Sequence, residues 1–175
     1  QRVQAQAARD GVVGAPDPRI ALPRALFGAQ RPNSRGLDLS DEASLQAFAG
    51  VLAQAGPLYA GPMLASPLDG AGLRRVVRNP AHHDEIVGEV QESDAAQVEC
   101  ALAQASAGFA AWSGTAASER AQCLLRAADA FEAQTLALMA LMVREAGKTA
   151  ANALAEVREA VDFLRYYATQ VERDF

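Results

Sequence analysis

The stretch from Val143 to Phe175, VREAGKTAANALAEVREAVDFLRYYATQVERDF, decides how the second half of this chain folds. Its apolar residues recur at alternating steps of four and three, a spacing that places them on one face of an α-helix. No Pro or Gly interrupts the run from Lys148 to Arg173, so one long helix is predicted there. Gly147 is predicted to end the preceding helix, since glycine takes the left-handed conformation at no cost. The apolar face consists of Ala150, Leu154, Val157, Val161, Leu164, Ala168 and Val171.

A second, polar stripe runs along another face of this predicted helix. Glu159, Asp162, Tyr166 and Thr169 follow one another at steps of three, four and three. In the simplest interpretation the stripe is a solvated face, where Arg158 and Asp162 form an i,i+4 pair worth about 0.2–0.5 kcal/mol. A helix with one apolar face and one ordered polar face is also suited to lie between a core and a second structure.

The first half of the chain is rich in residues that interrupt helices. All eight prolines precede residue 81, so an irregular first half and a helical second half are predicted. Gly11 to Asp38 is predicted to be an extended linker stiffened by its prolines. Ser40 is predicted to cap a helix that ends near Ala55. The buried face of that helix is predicted to contain Leu45, Phe48, Ala49 and Leu52.

A β-hairpin is predicted in the middle of the chain. Two runs rich in β-branched residues, Arg74 to Arg78 and Ile86 to Val90, flank the segment NPAHHDE, which begins with a turn signal. The loop contains His82, His83, Asp84 and Glu85. Adjacent residues of an extended chain point in opposite directions, so a solvated loop is predicted here and not a metal site.

Three more helices are predicted between the hairpin and the final helix. The first is capped by Ser93-Asp94 and closed by Gly114; the others cover Ser118 to Gln134 and Thr135 to Ala146. The inward residues are predicted to be Val98, Ala101, Leu102, Ala105, Phe109 and Trp112 in the first helix, and Leu124, Ala127, Ala128 and Phe131 in the second.

Charge is distributed unevenly along the 175 residues. Residues 1–40 hold six arginines and three acidic residues, whereas the whole chain has a net charge of −5. The arginines are not clustered, so a nucleic-acid-binding arm is disfavoured. A basic strap lying across an acidic body is predicted.

The sequence shows no targeting or membrane-spanning segment. Its start, QRVQAQAARDG, is polar, and its longest apolar run is far too short to cross a bilayer. Cys100 and Cys123 are isolated, which suits a reducing compartment. A cytoplasmic protein is therefore expected. The chain begins with Gln and stops at Phe175 within a predicted helix, which suggests a piece of a longer polypeptide.

Two motifs that could bind or react are assigned structural roles. Gly147-Lys148-Thr149 ends like a phosphate-binding loop, but that motif needs a glycine at position 142, which is Met. A corner between two helices is predicted instead. Cys100 and Cys123 have no histidine placed to activate them, since both histidines lie in the hairpin loop. No catalytic, cofactor-binding or metal-binding residue is predicted in the segment.

Three separated motifs resemble, in order and spacing, the bifunctional proline utilization A family. They are PRALFGAQRPNSRGLDLSDEA (Pro23 to Ala43), NPAHHDEIVGEV (Asn79 to Val90) and REAGKTAANALAEVREAVDFLRYYATQV (Arg144 to Val171). The resemblance implies an α/β parent with an aldehyde dehydrogenase-like fold. This segment would be mostly α-helical, with one β-hairpin and an extended N-terminal linker. Residues 1–56 would be a linker with a short helix after a proline dehydrogenase barrel, and residues 57–175 the N-terminal helical part of the dehydrogenase domain.

The resemblance also implies a function for the parent. Members oxidise L-proline to pyrroline-5-carboxylate with FAD and oxidise glutamate semialdehyde to glutamate with NAD. In the family the catalytic cysteine, the catalytic glutamate and the NAD-binding βα units lie downstream of a segment like this one, so the segment alone is expected to be inactive. Its expected partners are the rest of its own polypeptide, a small-molecule substrate and further copies in a homo-oligomer.

Glu159 is the one candidate site residue, and two interpretations of it remain open. By similarity to glutamate-semialdehyde dehydrogenases, a glutamate on this helix lines the substrate pocket, where its carboxylate would pair with the ammonium group of the substrate. The solvated face described above is the other interpretation. For the whole segment, a different class of function is a free-standing helical module whose amphipathic helices bind a partner protein.

Overall fold

The computed structural model describes residues 17–63 and 72–174 of the chain. Predictions that concern residues 1–16 and 64–71, including the first part of the linker from Gly11, lie outside these described residues. Among the described residues, no helix is both long and apolar enough to cross a membrane.

Helices dominate the second half, and a small sheet precedes them. The described residues form five α-helices, one turn of 3₁₀ helix at Pro23–Ala25 and three strands. The helices are α1 (Glu42–Gln54), α2 (Ala95–Gly114), α3 (Ala117–Ala133), α4 (Thr135–Ala146) and α5 (Ala150–Asp174); the strands are β1 (Leu58–Ala60), β2 (Arg74–Arg78) and β3 (Ile86–Gln91).

Helix α5 is the centre of the packing. It lies along α3, α4 packs against it, and α1 packs against α4. Four of the seven predicted apolar positions of α5 are buried and three are half-buried, which confirms the predicted face. The core combines residues of α1, α3, α4 and α5: Phe48, Ala128, Met139, Ala140, Ala153, Leu154, Val157 and Val161.

The corner between α4 and α5 follows the prediction at Gly147. This residue has φ of 64° and ends α4 in the left-handed conformation. Helix α5 begins at Ala150, two residues later than predicted, because the Thr149 hydroxyl oxygen accepts a hydrogen bond from the Asn152 N–H at 3.2 Å. Lys148 forms an ion pair with Glu156 one turn into α5. The prediction of a helix corner is confirmed.

Helix α1 differs from its prediction at both its cap and its buried face. The N-cap is Asp41, whose carboxylate accepts a hydrogen bond from the Ser44 N–H, so the prediction of Ser40 as the cap is wrong. The Ser40 hydroxyl instead donates to Asp38, which ends the linker with a separate turn. Since α1 packs on α4 through a narrow face, Phe48 is buried and Leu52 half-buried as predicted, whereas Leu45 and Ala49 are exposed and were wrongly placed inside.

Helix α2 forms as predicted but does not bury its apolar side. Asp94 caps it in a reciprocal capping box with Gln97, and Gly114 is its last residue. None of the other described helices and strands packs against it. The predicted inward residues are therefore wrongly placed within this segment, except for Ala101, which is half-buried; Val98, Leu102, Ala105, Phe109 and Trp112 are exposed.

Helix α3 packs on α5 through small side chains. Ala121 and Ala128 are fully buried, and the predicted Leu124 and Ala127 are half-buried. Phe131 was also predicted to face inward, but it is 38% exposed in the last turn of the helix.

The sheet contains the predicted hairpin and one strand that the sequence did not predict. Strand β2 pairs antiparallel with β3, and β1 pairs parallel with the other edge of β3. Gly88 of β3 lies opposite Leu58 of β1, and a Cβ at Gly88 would come within 2.1 Å of the Leu58 carbonyl oxygen. Glycine is therefore required for β1 to approach β3.

The hairpin loop is tied to the helices through Glu85. The buried Arg144 of α4 donates from Nε to the Glu85 carboxylate at 2.7 Å and from Nη1 to the Gly56 carbonyl at 3.0 Å. His82 and His83 are exposed, as predicted for a solvated loop. Within residues 17–63 and 72–174, no three His, Cys, Asp or Glu side chains are grouped as metal ligands.

Candidate functional site

Glu159 lies on the exposed side of α5, in the middle of the helix. The two neighbouring carboxylates on α5 already have partners. Glu156 pairs with Lys148, and Asp162 accepts two hydrogen bonds from Ser34. No described residue forms a hydrogen bond or ion pair with Glu159. Its carboxylate is therefore the one in this stretch that remains available to a cationic ligand.

Two aromatic side chains follow Glu159 along the same exposed surface. Phe163 and Tyr167 lie four and eight residues further on, are 50% and 54% exposed, and stack with their ring centroids 6.0 Å apart. Residues four apart on a helix are neighbours. A carboxylate and exposed aromatic rings on one helix surface suit an ammonium group, which interacts favourably with both kinds of side chain. The i,i+4 spacing of Glu159, Phe163 and Tyr167 is the sequence signal for this surface.

The other members of the predicted polar stripe, unlike Glu159, have partners among the described residues. Asp162 binds Ser34, Tyr166 lies beside the Arg31 guanidinium at 5.6 Å, and the Thr169 hydroxyl donates to the Arg165 carbonyl at 3.0 Å. The periodic spacing was correct, but it could not reveal that another part of the chain covers this side of the helix.

The segment that covers this side of α5 consists of residues 32–35, within the predicted basic arm. From here on, the strap means these four residues. The Ser34 N–H and hydroxyl donate to the two carboxylate oxygens of Asp162 at 2.6 and 2.9 Å. The Arg35 N–H donates to Glu132 of α3 at 2.6 Å. The carbonyls of Pro32 and Asn33 accept from Arg165, each at 3.4 Å. The strap thus joins α3 to α5 across their outer surface.

Arg165 and Glu132 form the centre of this contact. Two guanidinium nitrogens of Arg165 donate to the two oxygens of Glu132 at 3.1 and 3.0 Å, and the side chains are 5% and 11% exposed. Arg24 and Arg35 also approach Glu132, at 4.0 and 3.8 Å. Two arginines of the predicted basic arm, Arg24 and Arg35, thus lie beside an acidic residue of the helices, although backbone groups supply much of the binding. The part of that arm at residues 1–16 lies outside the described residues, so the prediction for the whole arm stays a prediction.

The ionisation of Glu132 follows from these contacts. Burial acts to raise the pKa of Glu132, but hydrogen bonds from Arg165 and from the Arg35 N–H outweigh burial and hold the pKa below its usual value. Glu132 is therefore a carboxylate at neutral pH, which is the form that binds both the strap and α5.

Comparison with known proteins shows to which family this arrangement belongs. Residues 69–174 match the model of the aldehyde dehydrogenase family. That range includes the hairpin, α2 and the three packed helices α3–α5. The chain belongs to the aldehyde dehydrogenase family.

Relatives of this aldehyde dehydrogenase segment include bifunctional PutA proteins and separate 1-pyrroline-5-carboxylate dehydrogenases. It is 46% identical over 175 residues to the bifunctional protein PutA of Klebsiella aerogenes, covering 99% of this chain and 13% of that protein. It is 41% identical over 93 residues to the 1-pyrroline-5-carboxylate dehydrogenase of Bacillus pumilus, covering 53% of this chain and 18% of that protein. The predicted resemblance to proline utilization A is confirmed, and the chain spans about an eighth of the length of such bifunctional relatives.

Solved structures agree with the aldehyde dehydrogenase fold. Proline utilization A from Bdellovibrio bacteriovorus superposes with a TM-score of 0.76 at 26% identity, covering 93% of this chain and 16% of that one. The 1-pyrroline-5-carboxylate dehydrogenase of Thermus thermophilus superposes with a TM-score of 0.73 at 28% identity, covering 78% and 27%. The predicted fold class is confirmed, with β1 added to the predicted hairpin.

The two cysteines of this aldehyde dehydrogenase segment are both half-buried and free. Cys100 accepts a hydrogen bond from the Gln104 amide at 3.2 Å, and Cys123 accepts one from Arg126 at 3.2 Å. The Cys100 contact lies within α2 and the Cys123 contact within α3, and no described histidine is bonded to either thiol. The interpretation of both cysteines as structural stays a prediction.

Proposed function

We propose that this chain is the interdomain linker and the N-terminal part of the dehydrogenase domain of a bifunctional proline-catabolic enzyme. The parent would oxidise L-proline to pyrroline-5-carboxylate with FAD, and glutamate semialdehyde to glutamate with NAD. The single observation that carries this proposal is the similarity to bifunctional PutA proteins along 99% of the chain. Residues 1–56 would form the linker after the proline dehydrogenase barrel, and residues 57–175 the start of the dehydrogenase domain.

Glu159 is proposed to bind the ammonium group of the semialdehyde. Its carboxylate is exposed and free of partners among the described residues, and Phe163 and Tyr167 extend the same surface. The positive charge of the substrate would be held at one end of this surface while its aldehyde carbon reaches a nucleophile supplied by the rest of the domain.

The residues described here do not fit NAD or FAD. No βαβ unit occurs among them, and the one sequence that ends like a phosphate-binding loop is a left-handed helix end at Gly147. We propose that other parts of the parent hold both cofactors and supply the catalytic cysteine. Bound NAD would supply the hydride acceptor for oxidation of the aldehyde. This segment would supply only binding and orientation.

The parent is proposed to act in the cytoplasm as a homo-oligomer. Its other partners would be the remaining parts of its own polypeptide. The alternative of a free-standing interaction module draws support from the exposed apolar side of α2. The two are separated by the reading frame beyond Phe175, because the enzyme requires Gly-rich βα units and a later cysteine.

The role of Glu159 can be tested in the full-length enzyme. Glu159→Ala is expected to raise the KM for glutamate semialdehyde severalfold, because the ammonium group loses its counter-charge. An aldehyde of the same length without the amino group should show no such change, which separates charge recognition from general damage. Glu156→Ala, three residues away and paired with Lys148, is the matched control. An unchanged KM and kcat for Glu159→Ala would remove this assignment.

A further inference from the structure

The strap meets α5 within one turn of Glu159. Arg158, the residue before Glu159, donates from Nε to the Ser34 hydroxyl at 3.3 Å. Asp162, three residues after Glu159, accepts from the same hydroxyl and from the Ser34 N–H. One strap residue therefore bridges the turn of helix that carries the candidate substrate-binding carboxylate.

The strap contact is built from buried groups. Ser34 is 5% exposed, and its hydroxyl lies between a carboxylate and a guanidinium. The Arg165 guanidinium, itself 5% exposed, has two strap carbonyls among its hydrogen-bond acceptors. If the strap detached from α5, Arg165 would lose these two carbonyl acceptors, and Asp162 would lose the N–H and hydroxyl donors of Ser34. Polar groups of this kind bind strongly to specific partners because leaving them unpaired in a buried place is costly.

The hydrogen bonds from Ser34 also determine which carboxylates of α5 have partners. Residues three apart on a helix are neighbours, so an unbound Asp162 would stand as a second free carboxylate beside Glu159. With the strap bound, Asp162 has both donors, and Glu159 is the carboxylate on this turn of α5 that lacks a partner among the described residues. A substrate with one ammonium group would then pair with the Glu159 carboxylate in one position.

We propose that the strap is part of the aldehyde-binding site. Ser34, Asp162, Arg165 and Glu132 act as positioning residues, which hold the turn of α5 that carries Glu159 and leave this carboxylate as the single one available to the substrate. The proposal rests on the proposed function. It extends the site to a segment that lies outside the residues matched by the family model.

The test uses the full-length enzyme with Ser34→Ala and with the double variant Ser34→Ala/Glu132→Gln. Both substitutions remove strap contacts and leave Glu159 in place. The KM for glutamate semialdehyde is expected to rise by about twofold to tenfold, a range typical of coupling between contacting residues, while kcat stays within about twofold of the original value. Glu156→Gln removes a side-chain pair on the same helix that does not touch the strap, so it is the control expected to leave both constants unchanged.

Amide hydrogen exchange provides an independent readout. The N–H groups of Ser34 and Arg35 are bonded to Asp162 and Glu132, so they should exchange faster in the double variant. No increase would show that these side chains do not hold the strap, which overturns the proposal. Faster exchange at these amides with an unchanged KM for glutamate semialdehyde would show that the strap is not part of the aldehyde-binding site, which also overturns the proposal. Failure of the proposed function is distinguishable, since Glu159→Ala itself would then leave the KM unchanged or the original enzyme would not oxidise the semialdehyde.

Discussion

At the scale of single residues, Arg165 shows how a polar group can be both buried and stabilising. Its side chain is 5% exposed and bonded to Glu132, Asp129 and two strap carbonyls. A buried charge is tolerated only when such partners compensate for lost hydration, and removing one partner leaves the other charge uncompensated. Arg165 stabilises the structure because its bonded partners together compensate for the hydration that its guanidinium loses.

Arg165→Ala is expected to lower the stability of the α3–α5 pair by about 3–5 kcal/mol, because the 11%-exposed Glu132 keeps its charge and loses its main counter-charge. Hydrogen exchange of the α3 and α5 amides in the full-length protein measures this local stability. Arg173→Ala is the matched control, since its pair with Asp174 is exposed, and should leave exchange unchanged. Equal protection in the two variants would contradict the prediction.

The pH dependence of the same contact follows from Glu132. Its pKa is lowered in the folded state, so its contribution to stability is full above the unfolded pKa of about 4.3. The contribution is lost as pH falls through the lower, folded pKa. The difference in amide protection between the original protein and Glu132→Gln should therefore be constant at neutral pH and shrink below about pH 4. A difference that grew on acidification would have the wrong sign for this mechanism.

At the scale of elements, the sequence predicted what depends on neighbours along the chain. The face of α5, the cap at Asp94 and the turn at Gly147 are local patterns, and the structure contains all three. Strand β1 escaped prediction because three residues, Leu58–Ala60, are too few to show a period. The contact between Ser34 and Asp162 joins residues 128 positions apart, and no periodicity reports such a pairing.

In the candidate site, too, local spacing predicted some features, while long-range contacts decided others. The position of Glu159 on an exposed face followed from helical spacing, but the fate of Asp162 depended on the strap. Helix α2 is a third case, since its apolar spacing correctly predicted a helix but not what covers it. Local spacing identifies which side chains share a face, whereas long-range contacts decide what each face does.

Pairing between β1 and β3 depends on Gly88, and its replacement tests this directly. Gly88→Ala would place a methyl group at 2.1 Å from the Leu58 carbonyl oxygen, so β1 is expected to detach, with a loss of about 1–3 kcal/mol. Exchange at the Leu58–Ala60 amides would report the detachment. Gly50→Ala, in α1 with open space around it, should instead stabilise its helix by about 0.5–1 kcal/mol. Unchanged protection of β1 in Gly88→Ala would refute the close-approach argument.

At the scale of the whole molecule, the described residues leave a large apolar surface uncovered. On α2, Leu102 is 58%, Phe109 68% and Trp112 51% exposed. Exposed patches of this kind mark surfaces that contact another protein surface, a membrane or a ligand. In the proposed parent, this cover is the remainder of the dehydrogenase domain.

The 175-residue segment, expressed alone, is therefore expected to bind an apolar fluorescent dye and to produce no NADH from glutamate semialdehyde. Leu102→Gln combined with Phe109→Gln should reduce dye binding by the isolated segment, because both side chains are exposed there. The full-length enzyme with intact α2 should bind little dye. NADH production by the segment alone would contradict its proposed dependence on downstream residues.

The contact between strap and α5 also sets an order of events during biosynthesis. Ser34 leaves the ribosome 128 residues before its partner Asp162, a delay on the order of ten seconds at common translation rates. During that interval the strap is a hydrated tether, and any domain encoded before it can finish folding without interference from the helices. Residues 32–35 can bind α5 only after Asp162 has emerged, so in the proposed parent this contact is expected to form late in synthesis.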